Sequence, residues 1–157
     1  MSPDKPAESG ELNRQGDPIE ILLAEDNPND VEMTERAFEK GRIANNIAVV
    51  SDGVDALRYL RQQDEYTDVT RPDIVLLDLE MPRKDGKEVL EELSEDEDLQ
   101  SIPVIVLTSS EAEQDILDSY EKSANAFMTK PVGYKDFQDT IRQIEQFWFQ
   151  VVKLPDG

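Results

Sequence analysis

The sequence predicts a doubly wound α/β domain, a five-stranded parallel sheet with five helices. Three observations carry that reading. Short apolar runs alternate with stretches of helical spacing five times between Ile19 and Val152, and such repetition implies a parallel sheet with right-handed crossovers and helices on both faces. The run Asp73-Ile74-Val75-Leu76-Leu77-Asp78 has no charge or turn residue in its interior, which marks a strand buried on both faces. Four of the runs end in Glu25-Asp26, Asp78, Thr108 and Lys130, residue types useful for phosphate chemistry, at the sheet edge where ligands collect in open α/β folds.

Each element has a local justification. Residues 1–18 are rich in Pro, Gly, Ser, Asp and Glu, with Leu12 as the one large apolar side chain well inside the segment. They are expected to form a flexible tail, because they bury too little surface to order themselves. Ile19–Ala24 is the first strand. Asn27 and Pro28 suit a helix N-cap and first helical position, and the helix runs to about Lys40. Ile47–Val50 is the second strand, and Ser51-Asp52-Gly53 turns into a helix carrying Ala56, Leu57 and Leu60. A polar loop from Gln62 to Pro72 leads into the central strand. The loop Met81-Pro82-Arg83-Lys84-Asp85-Gly86 then feeds a third helix carrying Val89, Leu90 and Leu93, which ends in the acidic run Glu95–Asp98.

Pro103–Leu107 is the fourth strand, ending at Thr108. A helix is expected from about Glu111 to Lys122, then a short fifth strand, Ala124–Met128, before Thr129-Lys130-Pro131. The last helix, from about Tyr134 to Val152, aligns Phe137, Ile141, Ile144, Trp148 and Val151 on one stripe. The folded domain is thus expected over residues 19–152, with 153–157 as a carboxyl-terminal tail.

Composition narrows the function. The length of 157 residues fits one domain. With 36 acidic and 16 basic residues the formal charge is −20, which argues against nucleic acid or an anionic membrane as a direct partner. Self-repulsion of that density opposes compaction unless salt shortens the Debye length, to about 3 Å near 1 M, so a salt-loving source is expected. Cysteine and histidine are both absent. Disulfides, thiolate and imidazole metal ligands and a Ser-His-Asp triad are excluded with them. There is no signal-like amino end and no apolar run near the ~20 residues that span a bilayer, so a cytoplasmic location is expected.

The four strand ends fit one chemistry. Two carboxylates ~4 Å apart repel by about 4 kcal/mol at an effective dielectric near 20, so Glu25, Asp26 and Asp78 gathered together demand a cation. Mg²⁺ suits them, because it prefers oxygen ligands and keeps water positions open for phosphate oxygens. Asp78 then serves as nucleophile toward a phosphoryl group, with Lys130 neutralising charge and Thr108 donating its hydroxyl to a phosphoryl oxygen.

These residues resemble the receiver domain of two-component response regulators, over roughly Ile19 to Phe149. The motifs are Glu25-Asp26-Asn27, Asp78 with Met81-Pro82 and Asp85-Gly86, Thr108-Ser109 and Lys130-Pro131. The resemblance implies a flavodoxin-like sheet of strand order 2-1-3-4-5 and a domain that catalyses only its own phosphoryl transfer and slow dephosphorylation. It implies Asp78 as phosphoacceptor, Mg²⁺ held by Asp26, Asp78 and the Glu80 backbone carbonyl with Glu25 acting through water, and Thr108 with Phe127 as a coupled switch. Lys130 is implied to contact the phosphate, ahead of a cis peptide bond to Pro131. The implied partners are a sensor histidine kinase and a downstream target protein; with no output domain expected, output passes through another protein or the module is a phosphate shuttle. Two departures are visible: Glu80 is charged where many receivers are neutral, and Phe127 stands where tyrosine is often found.

Other residues read more plainly as structural. Gly86 reads as a turn requirement, Pro82 as a loop stiffener, Asn27 as a cap, and Glu95–Asp98 as a solvated helix end. One helical stripe cannot bury all of Phe147, Trp148 and Phe149; packing takes Trp148 and leaves Phe147 and Phe149 as a partner or self-association surface, and the resemblance to receivers of the phytochrome-partner type implies a homodimer through this end of the helix. Two competing functions remain: a Mg²⁺-dependent phosphatase with Asp78 as turnover nucleophile and Glu80 spaced to act as its acid, and a pseudo-receiver that docks without accepting phosphate.

Overall fold

In a computed structural model, the described residues are 18–41, 44–79, 81–108, 126–129 and 134–151, with 108, 126–129, 134, 135 and 147–151 described by their backbone alone. The elements are β1 (Ile19–Ala24), α1 (Pro28–Glu39), β2 (Asn45–Val50), α2 (Gly53–Leu60), a 3-10 turn (Asp64–Tyr66), β3 (Ile74–Asp78), α3 (Gly86–Ser94), β4 (Val104–Thr108), β5 (Ala126–Thr129) and α4 (Tyr134–Val151). The sheet has the order β2-β1-β3-β4-β5, and β1, β3, β4 and β5 run parallel. This is the flavodoxin-like arrangement. Among the described residues there are four α-helices against the five expected; the expected helix from Glu111 to Lys122 lies outside the described residues.

The chain divides into two compact units. The larger, Glu20–Val31 with Ile47–Lys130, carries the sheet. Its core takes alternate strand residues, Leu22 and Ala24 of β1, Val75 and Leu77 of β3, Val104 and Val106 of β4, as the period of two requires. Against them pack Ala56, Leu57 and Leu60 of α2 and Val89, Leu90 and Leu93 of α3, so these two helices cover one sheet face. The intervening residues Ile21, Leu23, Ile74, Leu76, Ile105 and Leu107 are buried too. A strand hidden on both faces reads as an unbroken apolar run, which is why β3 has no polar residue between Ile74 and Leu77.

The smaller unit contains Glu32–Asn46 and the chain from Pro131. In it Ala37 and Phe38 of α1 and Phe137, Ile141 and Ile144 of α4 are buried, so the first part of the expected α4 stripe is realised. The later positions Phe147, Trp148, Phe149 and Val151 lie outside the residues with described side chains.

Several boundaries differ from expectation. β2 begins at Asn45, two residues before the expected Ile47. β4 begins at Val104, because Pro103 has no N–H for the ladder; its carbonyl still accepts from the Val75 N–H at 2.9 Å. The polar loop contains a 3-10 turn that charge pairing organises. Arg58 donates to Asp55 at 2.8 Å, to Asp64 at 3.0 Å and to Glu65, and lies 5.9 Å over the Tyr66 ring. The run Glu95–Asp98 is only partly a solvated helix end. Glu95, Glu97 and Asp98 are exposed, but the half-buried Asp96 accepts from Arg61 at 3.5 Å and from the Asp98 N–H at 3.0 Å. No helix among the described residues is long and apolar enough to cross a membrane.

Candidate functional site

The register of the sheet assembles the acidic edge. Ala24 pairs with Leu77, which sets Glu25 one step along β1 beside Asp78, the last residue of β3. Glu25 is fixed by its neighbours: its N–H donates to the Val50 carbonyl at 2.9 Å, and its Oε2 accepts from the Asn27 N–H at 3.1 Å. Asn27 in turn caps α1, its Oδ1 accepting from the N–H groups of Asn29 at 2.9 Å and Asp30 at 3.3 Å. The motif therefore places two carboxylates and then starts a helix on the next residues. Its cap reading of Asn27 agrees with the structure.

Glu25, Asp26 and Asp78 each offer an oxygen, and these oxygens lie within 4.8 Å of one another. Glu25 is 3% and Asp78 4% exposed, whereas Asp26 is exposed. Three carboxylates at that separation form an all-oxygen donor set with surplus negative charge, which fits a hard divalent cation.

The other predicted residues are less fully placed. Thr108 ends β4, one residue beyond Leu107, the register partner of Asp78; Phe127 pairs with Val106 on β5. Their side chains, and all of Glu80 and Lys130, lie outside the described residues, as does the Lys130–Pro131 peptide. Both neighbours of Glu80 are buried: Leu79 is 4% and Met81 8% exposed, and both belong to the core beneath α2 and α3.

The loop after Asp78 is tied down by residues that the motif reading did not single out. Arg83 donates Nε to Asp52 Oδ2 at 2.9 Å and Nη2 to Asp52 Oδ1 at 3.2 Å, with a longer contact to Asp55 at 3.4 Å. Asp52 also caps α2, accepting from the Asp55 N–H at 2.8 Å. Burial pushes the Asp52 carboxyl up, but Arg83 and the capping N–H groups outweigh it and leave it below its ordinary value. Lys84 pairs with Glu92 on α3, and Arg61, the C-cap of α2, reaches the same carboxylate at 3.2 Å. The hydrogen bond from Lys84 first, then Arg61, hold the Glu92 carboxyl below its ordinary range against the opposing effect of burial.

Two glycines permit the close packing. A Cβ on Gly86 would meet the Asp78 carbonyl oxygen at 2.7 Å and the Leu79 Cα at 2.8 Å, and a Cβ on Gly53 would overlap the Lys84 backbone. Gly86 is thus required by close approach rather than by a turn dihedral. Asp85 and Glu88 form a capping box at the start of α3, with Glu88 N–H to Asp85 Oδ1 at 3.0 Å and Asp85 N–H to Glu88 Oε1 at 3.1 Å. The Asp-x-x-Glu spacing was a sequence signal for it.

A parallel sheet with an acidic cluster at its carboxyl edge defines an α/β domain of the flavodoxin-like class. The model of the response regulator receiver domain matches residues 21–142, and the chain belongs to that family. It is 41% identical over 138 residues to response regulator Rcp1 of Synechocystis sp., covering 88% of this chain and 94% of that protein. The crystal structure of the phosphorylated cyanobacterial phytochrome response regulator RcpA is 39% identical, with a TM-score of 0.79, over 88% of this chain and 99% of that one. The Mn²⁺-bound form of Rcp1 is 40% identical, with a TM-score of 0.77 and the same two shares. Receiver domains are signalling modules that histidine kinases phosphorylate and that bind a divalent metal in the acidic site.

Proposed function

We propose that this chain accepts a phosphoryl group on Asp78 from a sensor histidine kinase and signals through a phosphorylation-dependent protein-binding surface. The observation that carries the reading is the gathering of Glu25, Asp26 and Asp78 at the end of the middle strand. Asp26 and Asp78, with the Glu80 backbone carbonyl, would hold Mg²⁺ and Glu25 would support it through water; the ion would offset negative charge on the phosphoryl oxygens. An Asp78 carboxylate oxygen attacks phosphorus, the bond from phosphorus to the donor breaks, and the donor leaves with that electron pair. Thr108 donates its hydroxyl to one phosphoryl oxygen and Lys130 its ammonium to another. Thr108 and Phe127 carry the change to the surface.

The kinase is of the phytochrome kind, a reading supported by the relatives named as phytochrome response regulators. The aromatic end of α4, with Phe147, Trp148 and Phe149, serves as a homodimer surface. The folded domain covers residues 19–152, and the protein works in the cytoplasm of a salt-loving organism.

The test is intact mass after incubation with acetyl phosphate and Mg²⁺. The native chain is expected to gain one phosphoryl group, and Asp78→Asn none. Many equivalents of phosphate released from a phosphomonoester would instead make the protein a phosphatase, and a native chain that gains no mass would leave only a docking role.

A further inference from the structure

We infer that Arg83 is a positioning residue for the chemistry at Asp78: its fork onto Asp52 holds the Met81–Asp85 loop in the conformation that the phosphoryl site needs. The inference rests on the reading of Asp78 as phosphoacceptor. Four observations converge on it.

Arg83 has φ of 67°, a left-handed conformation that L-residues with a Cβ rarely adopt and that persists only where its surroundings hold it. Two contacts hold it: the Lys84 N–H donates to the Pro82 carbonyl at 2.7 Å, closing a tight turn about Arg83, and the guanidinium makes a forked pair to Asp52, with Asp55 alongside. The next residue is seated at the same place, since the Lys84 backbone lies against Gly53, directly after Asp52, where no Cβ fits.

The far end of the loop returns to the reacting strand. The Gly86 N–H donates to the Leu79 carbonyl at 2.9 Å, one residue beyond Asp78. The loop is therefore pinned at the start of α2 and again at the end of β3, and its path between those points depends on the unfavourable turn at Arg83. When the fork is lost, residue 83 relaxes toward negative φ and the segment between Met81 and Gly86, beyond the buried Met81 side chain, is rerouted. Gly86 at its far end lies against the Asp78 carbonyl, where an added Cβ would come within 2.7 Å, so the rerouting reaches the residue read as phosphoacceptor. The fork is solvent-accessible, with the Arg83 side chain 51% exposed, so its hold weakens as salt rises.

The experiment compares the full chain with Arg83→Ala, Asp52→Asn and the double variant. Asparagine caps helices about as well as aspartate, so Asp52→Asn removes the charge and leaves the start of α2 intact. Arg83→Lys keeps the charge without the fork and serves as the mildest change. Mg²⁺ affinity is read by calorimetry, the labelling rate with acetyl phosphate by intact mass, and folding by urea midpoint.

Arg83→Ala is expected to weaken Mg²⁺ binding and slow labelling by about tenfold, as loss of an outer support to a metal site does. Asp52→Asn should show a similar loss, Arg83→Lys a smaller one, and the double variant no more than either single, because the two act as one contact. Native Mg²⁺ affinity and labelling in Arg83→Ala would overturn the inference. So would losses that add in the double variant, or a loss in Arg83→Ala with none in Asp52→Asn, which would have Arg83 touching the phosphoryl group itself. A native chain that binds Mg²⁺ but takes no phosphoryl group would sink the reading of Asp78, and the Mg²⁺ titrations would still decide whether Arg83 shapes the loop.

Discussion

At the scale of single residues, close packing around Asp78 leaves no room for an added methyl group. Alanine is ordinarily worth about 1 kcal/mol more than glycine inside a helix, and Gly86 is the first residue of α3. Here the Cβ would collide with the Asp78 carbonyl oxygen and Leu79 Cα, both backbone atoms that cannot rotate aside. Overpacking of this kind costs about 1–3 kcal/mol. Gly86→Ala is therefore expected to lower stability in urea, despite its better helix propensity. An unchanged or raised midpoint would mean that the strand end shifts freely.

At the scale of elements, α2 and α3 are clasped by four charged groups: Arg61 and Lys84 on Glu92, and Arg61 on Asp96. The Glu92 carboxyl is lower in the folded chain than its ordinary value, through Lys84 first and Arg61 after it, against burial. A depressed carboxylate stabilises fully above its unfolded value, and that contribution is lost as pH falls through the folded one. Thermal midpoints of the native chain and Glu92→Gln should thus differ at neutral pH and converge below the carboxylate range. A gap that persists in acid would assign the effect to packing.

The start of α1 was legible, because Asn27 and Pro28 act through chemistry local to the chain. The β3–α3 loop was not. Arginine carries no mark of a left-handed turn, and its partner Asp52 is 31 positions away, so only the folded chain reveals the pair. The residues at the strand ends were legible for the opposite reason. A parallel register turns separate short runs into one edge, so that Glu25, Asp26 and Asp78 meet although far apart in sequence.

At the scale of the whole molecule, 36 acidic against 16 basic residues set the solution behaviour. Many acidic groups are exposed with like-charged neighbours, as at Glu95, Glu97 and Asp98. Screening of their repulsion should raise the thermal midpoint as KCl increases toward the molar range, where the Debye length falls to about 3 Å. A midpoint that is flat or drops with KCl would remove the salt-loving reading. The strand order was legible through the family resemblance, and alternation alone supplied the parallel sheet.

Leu79 and Met81 sink into the same oily interior that α2 and α3 share. The stretch after Asp78 is therefore moored below as well as tied above. Detaching it means opening the hydrophobic centre, so the acidic edge should keep its grip on an added ion until the larger unit melts. Ion release and loss of the core would then be observed as one transition along a urea titration.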